Sequence, residues 1–458
     1  MSNVLTRLVF DPVAVDRERV PRRYQFAEDS RAALIAAGVG VVALAAGTAV
    51  GIPAGLTHFL FAYLIAWTFC VSVTLGALFF IMIQHLTKAR WSTTIRRIPE
   101  AIASNFPLLA LAGIPILLGM HELFHWTHAD IFEVGSPTYD PILAAKQDYL
   151  NIPFFLARYV LYFGIWSLVA RKLYTLSVQN DTNPSPENTV RMRWWSAIGV
   201  PLFAITVSFA GYDFLMGTDP HWYSTMFGVY FFAGGFLGAV CLITFIALFL
   251  KRGGMLDAEI TGEHMQDMGK FMFGFTVFWT YISFSQYMLY WYANLPEEIL
   301  WFQKRFSSGW GSVALSLLFL HFALPFFVLI LRQSKRTYAV LATMAVWQMV
   351  MHWVDLWWIA MPSMLPHSAE NGATPEHAST ALLNGQQLMA SLQGVAPEVP
   401  ATQMVLEVVP PGFPAIELLV WVGLFGLLLA ATFARLGRHA LTPYSDPYFA
   451  DSLRFENV

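Results

Sequence analysis

The sequence predicts an all-α integral membrane protein with about ten transmembrane helices, and three observations lead to this fold class. Of its 458 residues, 56% are hydrophobic and 12% are charged, and that charged share is about half of what a soluble domain carries. The mean hydropathy is +0.52. The charged residues are clustered between long apolar stretches instead of being spread along the chain. These properties exclude a soluble globular fold.

Ten apolar stretches are long enough to be membrane helices. A helix needs roughly 20 mostly apolar residues, because each residue adds about 1.5 Å towards a hydrocarbon core of about 30 Å. The predicted helices are 32–52, 57–83, 102–120, 152–170, 195–216, 222–250, 271–292, 310–331, 338–361 and 413–433. They contain only four charged residues, namely Arg158, Asp213, Asp355 and Glu417.

The distribution of lysine and arginine predicts the orientation. With the N-terminus in the cytoplasm, the inner segments hold 23 of the 27 Lys and Arg residues, and the outer loops hold three. Cytoplasmic segments carry an excess of these residues. One missed or extra helix would exchange the inner and outer sides of all later segments. The unequal distribution of Lys and Arg therefore supports ten helices with both termini in the cytoplasm.

The chain divides into a cytoplasmic N-terminal arm (1–31), a first flanking helix with its turn (32–56), an outer loop (362–412), a tenth helix (413–436) and a cytoplasmic tail (437–458). The fifth and ninth helices both end outward with an acid among aromatic residues, in Phe209-Ala-Gly-Tyr-Asp213 and Met351-His-Trp-Val-Asp355. Each acid closes a group of four helices. This weak repeat predicts two four-helix bundles, 57–221 and 222–361, flanked by the first and tenth helices.

Composition also excludes several functions. A net charge of −3 provides no basic surface for nucleic acid. The two cysteines, Cys70 and Cys241, both lie inside apolar runs. We therefore expect neither a disulfide framework nor a thiolate-bound zinc or iron–sulfur centre in this chain.

Ionisable side chains near the outer ends of the helices are the candidate functional residues, since each costs about 2.5–3.5 kcal/mol to insert into a bilayer. Asp213 is a candidate, although it could simply bond to a neighbouring Tyr or Trp. His352 and Asp355 are three residues apart on one helix face, which allows a direct proton-relay pair. Arg158 needs an acid or a carbonyl as its partner. Asp219, in the turn before the sixth helix, is typical of an N-cap.

Two metal-binding interpretations compete with a proton-transfer function. His121-Glu122-Leu-Phe-His125 matches H-E-x-x-H, the helix motif in which two histidines bind zinc and the glutamate activates water. An intramembrane zinc protease is therefore an alternative, but a third protein ligand is missing. Haem held by His321 and His352 is a further alternative, but the two differ in height by about 6 Å at about 1.5 Å per residue.

Several long motifs resemble the membrane subunits of the NrfD/polysulfide-reductase family, and within it those of bacterial alternative complex III. The resemblance runs from about the second helix to the ninth. The motifs are Gly76-Ala-Leu-Phe-Phe80, Gln84-His85-Leu-Thr87, Thr218-Asp-Pro-His-Trp-Tyr-Ser-Thr-Met-Phe-Gly-Val-Tyr-Phe-Phe-Ala233 and Phe284-Ser-Gln-Tyr-Met-Leu-Tyr-Trp-Tyr-Ala-Asn-Leu-Pro-Glu-Glu298, the last preceded by Gly269-Lys270.

The resemblance implies a multi-pass subunit of the bacterial cytoplasmic (inner) membrane that takes part in quinol oxidation in a respiratory chain. It implies quinol or menaquinol as substrate near the periplasmic face, and no covalently bound cofactor. Partners would be membrane lipids, a sister NrfD-like subunit, an iron–sulfur subunit and c-type cytochrome subunits that carry the haem.

The resemblance also implies places for the chemistry. His121 and Glu122 would be quinol-site groups with Asp148 as the partnering acid. Alternatively, the quinol site belongs to the sister subunit, and Asp213, His352 and Asp355 serve a proton path or hold the bundles together. A secondary transporter is the remaining alternative, but the helices lack the Gly/Pro-interrupted pairs typical of a midplane site.

Overall fold

The computed structural model describes residues 31–307, 309–364 and 410–456, and its regular structure is helical throughout these ranges, without a strand. The predicted arm and most of the predicted outer loop lie outside the described residues. The principal helices are α1 (Ala32–Ala54), α2 (Leu56–Leu86), α3 (Arg97–Leu118), α4 (Ile152–Thr182), α5 (Pro186–Phe214), α6 (Phe227–Arg252), α7 (Gly262–Ala293), α8 (Trp310–Leu329), α9 (Tyr338–Ala360) and α10 (Ala415–Leu436).

Nine helices in the described part of the chain, all except α7, are long and apolar enough to cross a membrane. The protein is thus an all-α, multi-pass membrane protein, as the composition predicts. Helix α7 is 32 residues long; Glu263, Asp267 and Lys270 lie in its first turns, and the uncharged remainder is rich in Tyr, Trp, Ser and Thr, which lower its hydropathy. The predicted crossing at 271–292 corresponds to the remainder of this helix. The total of ten crossings and the orientation of the termini stay predictions.

The third predicted helix is not continuous. It consists of the short helices Arg97–Ala103, Phe106–Ala112 and Ile114–Leu118, separated by single breaks. Pro107 and Pro115 lie at the starts of the second and third pieces. Proline has no backbone N–H and its ring clashes with the preceding turn, so a helix restarts there more readily than it continues.

Helix α8 is interrupted by a π-helical segment, Leu317–Ala323, between the α-helical pieces Trp310–Ser316 and Leu324–Leu329. Pro325 follows directly. Its ring would clash with the carbonyl of His321, four residues earlier, in a regular α-helix. The wider turn avoids that clash, and such bulges are frequent at functional sites.

Helices α2 and α6 form the centre of the fold. Of their apolar spans, 94% and 89% of the residues are buried, against 17% for α1. The two helices approach closely because both carry glycine where they cross. A Cβ atom on Gly76 would lie 2.5 Å from the carbonyl oxygen of Gly235, and one on Gly235 would lie 2.7 Å from that of Ser72. Small residues at such crossings are typical of membrane helices.

Helices α1 and α10 pack against each other, and both contact α2. Helices α2 to α5 contact one another in sequence, and α6 to α9 do the same. An additional helix, Pro296–Phe306, connects α7 to α8. The sequence reading treats this segment as part of an outer loop, because Lys304 and Arg305 lower its hydropathy.

Candidate functional site

Asp213, near the end of α5, is held by a buried arginine. Arg158 on α4 donates from Nε to Oδ2 and from Nη2 to Oδ1, both at 2.8 Å, and its Nη1 donates to the carbonyl oxygen of Tyr149 at 3.0 Å. The hydroxyl groups of Tyr149 and Tyr162 donate to the same carboxylate at 3.0 and 2.7 Å. Arg158 therefore has both an acid and a carbonyl as partners.

The Arg158–Asp213 pair is a neutralised, fully bonded ion pair. Arg158 is 6% exposed and Asp213 is 4% exposed. The guanidinium also lies 3.9 Å from the ring centre of Tyr149 and 4.4 Å from that of Phe154. Arginine does not release its proton in proteins, so Asp213 has a permanent cation bonded to it in two places. Asp213 thus has the environment of a structural charge.

A cavity of about 280 Å³ adjoins this pair. Asp148 and Asp213 both line it, together with Lys146, Tyr149 and Trp222. Asp148 is exposed at the surface, and Lys146 donates to the carbonyl oxygen of Pro220 at 2.8 Å. Of the predicted site residues, the structure brings together Asp148 and Asp213 here.

Asp355, near the end of α9, is held differently. Its Oδ1 accepts from the hydroxyl of Tyr230 on α6, and its Oδ2 accepts from the indole N–H of Trp279 on α7 at 3.1 Å. The side chain is 2% exposed. Within the described ranges, no Lys, Arg or His forms an ion pair with it. Asp355 is therefore a buried carboxyl group bonded only to neutral donors.

His352, one turn below Asp355, does not bond to it. Its Nε2 lies 2.9 Å from the hydroxyl of Ser72 on α2. That hydroxyl donates to the carbonyl oxygen of Phe69, so His352 is the donor in this contact. Glycine at Gly234 makes room for the ring, since a Cβ there would lie 2.9 Å from it. The direct relay pair that the spacing predicts is not formed, because the two side chains point to different helices.

His121 and Glu122 lie in a third place. They belong to the short helix Met120–Leu123, after which Phe124 is extended and His125 starts a 3₁₀ turn. Glu122 accepts from the hydroxyl of Thr57 at 2.6 Å.

The zinc motif needs both histidines on one helix face, four residues apart, and here the helix ends between them. In the part of the chain that the structure describes, no three His, Cys, Asp or Glu side chains are grouped so as to hold a metal ion. The zinc interpretation therefore has no geometric support.

The haem alternative concerns His321 and His352. The ring of His321 stacks on Trp279 with a centroid separation of 4.0 Å and an angle of 23° between the planes. His352 directs Nε2 to Ser72. Nδ1 of His352 and both ring nitrogens of His321 have no hydrogen-bond partner among the described residues, so the haem alternative stays a prediction.

A second, larger cavity of about 570 Å³ lies beside Asp355, between α7, α8 and the helix Pro296–Phe306. Tyr230 and Trp279, the two residues that bond to Asp355, form part of its wall. The π-helical segment of α8 contributes Leu317 and Leu318. The cavity size is within the usual range of small-molecule sites.

The outer surface next to this cavity contains a short charge network. Asp219 accepts from Lys304 at 2.9 Å. Burial alone would raise the pKa of Asp219, but Lys304 and Arg305 outweigh it and hold that pKa below its usual range. Asp219 does not cap α6, because that helix begins at Phe227; the N-cap prediction for Asp219 is wrong.

Arg305, the neighbour of Lys304, is buried and caps the end of α9. It donates to the carbonyl oxygen of Ile359 and to the hydroxyl of Ser363, and it lies 3.5 Å from the ring centre of Trp301. Burial lowers the pKa of Arg305 to about 9. A cation at the C-terminal end of a helix is favourable, and this contact fixes Trp301 in the cavity wall.

The sequence reading missed the partners that distinguish the two aspartates, namely Tyr149, Tyr162, Tyr230 and Trp279. Aromatic residues make up 16% of the chain, so no single one attracts notice. One signal was available: Tyr230 lies in the glycine-rich start of α6, where a tyrosine hydroxyl within the membrane needs a partner.

No model of a known protein family matches this chain, and no curated protein matches it in sequence. Fold and site together define a multi-pass, all-α membrane protein with two differently bonded buried aspartates.

Proposed function

We propose that this chain is a membrane subunit of a respiratory quinol oxidoreductase of the NrfD/polysulfide-reductase type, as in bacterial alternative complex III. It would lie in the bacterial inner membrane with ten crossings and cytoplasmic termini. The observation that supports this function best is Asp355, a buried carboxyl group without a cation, beside a cavity lined by aromatic residues. Quinol oxidation needs such a group, because it releases protons inside an apolar site.

The proposed chemistry divides between this chain and its partners. Oxidation of one quinol gives a quinone, two protons and two electrons. The electrons would pass to iron–sulfur and c-type haem groups of partner subunits, and on to a periplasmic acceptor such as cytochrome c. Asp355 would accept a proton through the hydroxyl of Tyr230, and the periplasmic surface with Asp219 and Lys304 would receive it.

The two aspartates would then have different roles. A group that takes up and releases protons must be able to exist both protonated and ionised, each at a moderate cost in free energy. Asp213 is bound in two places to Arg158, and protonation would leave that cation buried without its partner. Asp355 loses no ion pair on protonation. Asp355 is therefore the proton-transfer group in this proposal, and Asp213 holds α4 to α5.

The test is Asp355→Asn in the intact, purified complex, with quinol-dependent reduction of the acceptor as the measurement. We expect the turnover to fall by about 10²-fold, the contribution of a positioned acid or base, while the haem-containing partners still copurify. The matched control is Glu417→Gln, a buried acid on α10 that bonds to His58 at 3.1 Å and lies away from the cavity. Its turnover should be unchanged.

Two results would contradict the proposed function. One is unchanged turnover in Asp355→Asn. The other is a chain that purifies alone, monodisperse and stable, from cells that express all its natural partners, with no haem absorbance in the preparation.

A further inference from the structure

We infer that the 570 Å³ cavity beside Asp355 is a binding site for the ring of a membrane-soluble quinone or quinol. This inference rests on the proposed function and makes it specific, because it places the ligand in the second group of four helices and not beside Asp213. Three features of the cavity support it: its access from the membrane, its aromatic wall and a small set of polar groups at its inner end.

The cavity opens sideways towards the membrane. The residues at its edge between α7 and α8 are apolar and exposed, namely Phe284 (58%), Leu315 (57%) and Leu318 (49%). Polar substrates of the aqueous phase would not approach through such a surface. A ligand with an isoprenoid tail can diffuse in from the bilayer and leave its tail among these side chains.

The wall of the cavity suits a flat ring. Ten of its eighteen lining residues are aromatic. Trp222 and Trp301 stack with a centroid separation of 4.2 Å and nearly parallel planes, which makes the upper wall rigid. Aromatic side chains favour stacked or edge-to-face contact with a planar ring. A flexible acyl chain gains nothing from that geometry.

Polar groups on one face of α7 point into the cavity. Thr280, Ser283, Gln286 and Tyr287 all line it, because residues three and four apart share a helix face. Gln286 is only 5% exposed, and its amide nitrogen has no hydrogen-bond acceptor among the described residues. A buried amide without a partner is unfavourable. A ligand oxygen would satisfy it, which argues for a ring with oxygen substituents over a hydrocarbon tail.

The inner end of the cavity connects the ligand to Asp355. Tyr230 both lines the cavity and donates to Asp355, and Trp279 does the same. A ring held by Gln286 at one oxygen would have its other polar edge towards the hydroxyl of Tyr230. The π-helical segment of α8 shapes this end, because it brings Leu317 into the wall while His321 stacks on Trp279.

Photolabelling of the intact complex in lipid nanodiscs tests the site. The probe is a naphthoquinone with an azide on the ring and a short isoprenoid tail, and the labelled peptides are mapped. We expect label on α7 between residues 279 and 287 or on α8 between 315 and 322. Ser283→Phe places a ring inside the cavity and should abolish this label. The control is Ser285→Phe, two residues further along α7 and outside the lining, which should keep it.

Gln286→Leu provides a second variant that keeps the cavity volume and removes the amide. Half-saturation of the label should need about 2- to 10-fold more probe, the effect of one hydrogen bond. Equal labelling of Ser283→Phe and Ser285→Phe would overturn the inference. Label confined to the cavity beside Asp213 would also overturn it.

A parallel arm uses phosphatidylglycerol with an azide on its acyl chain. Label from this lipid at the same α7 peptides, abolished in Ser283→Phe, with none from the quinone, would show a lipid-tail site and overturn the inference. The proposed function is judged separately by turnover in Asp355→Asn. If that variant loses turnover while Ser283→Phe keeps both label and turnover, the cavity inference alone fails.

Discussion

The contrast between Asp213 and Asp355 predicts stability losses of very different size for the same chemical change. Aspartate to asparagine keeps the shape of each side chain and removes its charge. At Asp213 the change leaves Arg158 buried with no anion. At Asp355 it leaves two neutral donors, Tyr230 and Trp279, facing an amide.

The magnitudes follow from the bonds in the structure. Removal of one partner of a buried ion pair costs about 3–5 kcal/mol of unfolding free energy. The carboxylate of Asp213 accepts four hydrogen bonds, two of them from Arg158, and an amide can replace only those to its oxygen. At Asp355 one hydrogen bond from a neutral donor to the carboxylate is lost, about 1.5–3 kcal/mol, and this loss is partly offset because an amide costs less to bury than a carboxylate. The expected difference of about 1.5 kcal/mol or more corresponds to about 10-fold or more in the unfolding equilibrium.

Unfolding by SDS in mixed micelles, followed by tryptophan fluorescence, measures this difference. A third protein, Asp213→Leu combined with Arg158→Met, separates charge from packing, because it removes both ions and should recover most of the loss. The reasoning is refuted if Asp213→Asn is no more destabilising than Asp355→Asn. It is also refuted if the double variant is as unstable as the sum of its single changes.

Three further changes test the fold and the outer surface. Gly235→Val should cost about 1–3 kcal/mol or more of unfolding free energy in mixed micelles, because its Cβ would lie 2.7 Å from a carbonyl oxygen of α2; Gly274→Ala, with nothing within 4 Å of its Cβ, is the control. Asp219→Asn should have a lower thermal midpoint than the unchanged protein, by the same amount at pH 7 and at pH 5, since Lys304 keeps the pKa of Asp219 below its usual range. That difference should shrink only as the pH falls below the usual aspartate pKa of about 3.8, where the ionised form and its stabilisation are lost; a difference that disappears already at pH 5 would contradict the ion pair. A cysteine placed at Glu187, in the first turn of α5, should react with an impermeant maleimide only in inside-out vesicles, while reaction in intact cells would reverse the predicted orientation.

Hydropathy was sufficient to locate the helices, because about 20 apolar residues in a row have few alternatives to crossing a bilayer. Hydropathy does not predict the breaks and the π-helical segment inside these helices. The breaks in α3 follow from Pro107 and Pro115, and the π-helical segment follows from Pro325, but an average over a long window does not register single prolines. Helix Pro296–Phe306 was missed because its polar residues lie on one face, which an average also hides.

The sequence identifies the candidate acids, because charged residues are rare in its apolar stretches. It does not identify their roles. Asp213 and Asp355 stand out in the sequence because charges within apolar stretches are costly. Arg158 is 55 residues from Asp213, and Tyr230 is 125 residues from Asp355. Such pairings depend on which helix faces meet. A single sequence contains no direct information on them, and the direct pair of His352 and Asp355 was predicted only because both lie on one helix.

The two groups of four helices differ in the residue that faces the buried acid. In the first group, α2 to α5, Asp213 is faced by Arg158 of helix α4, which cannot lose its proton. In the second group, the ionisable residue of the corresponding helix α8 is His321, which stacks on Trp279 and forms no ion pair with Asp355 within the described ranges. Asp355 is left with neutral partners. Two groups of four helices thus place one buried acid against a cation and the other against neutral donors, and in the proposed function only the second acid takes part in proton transfer.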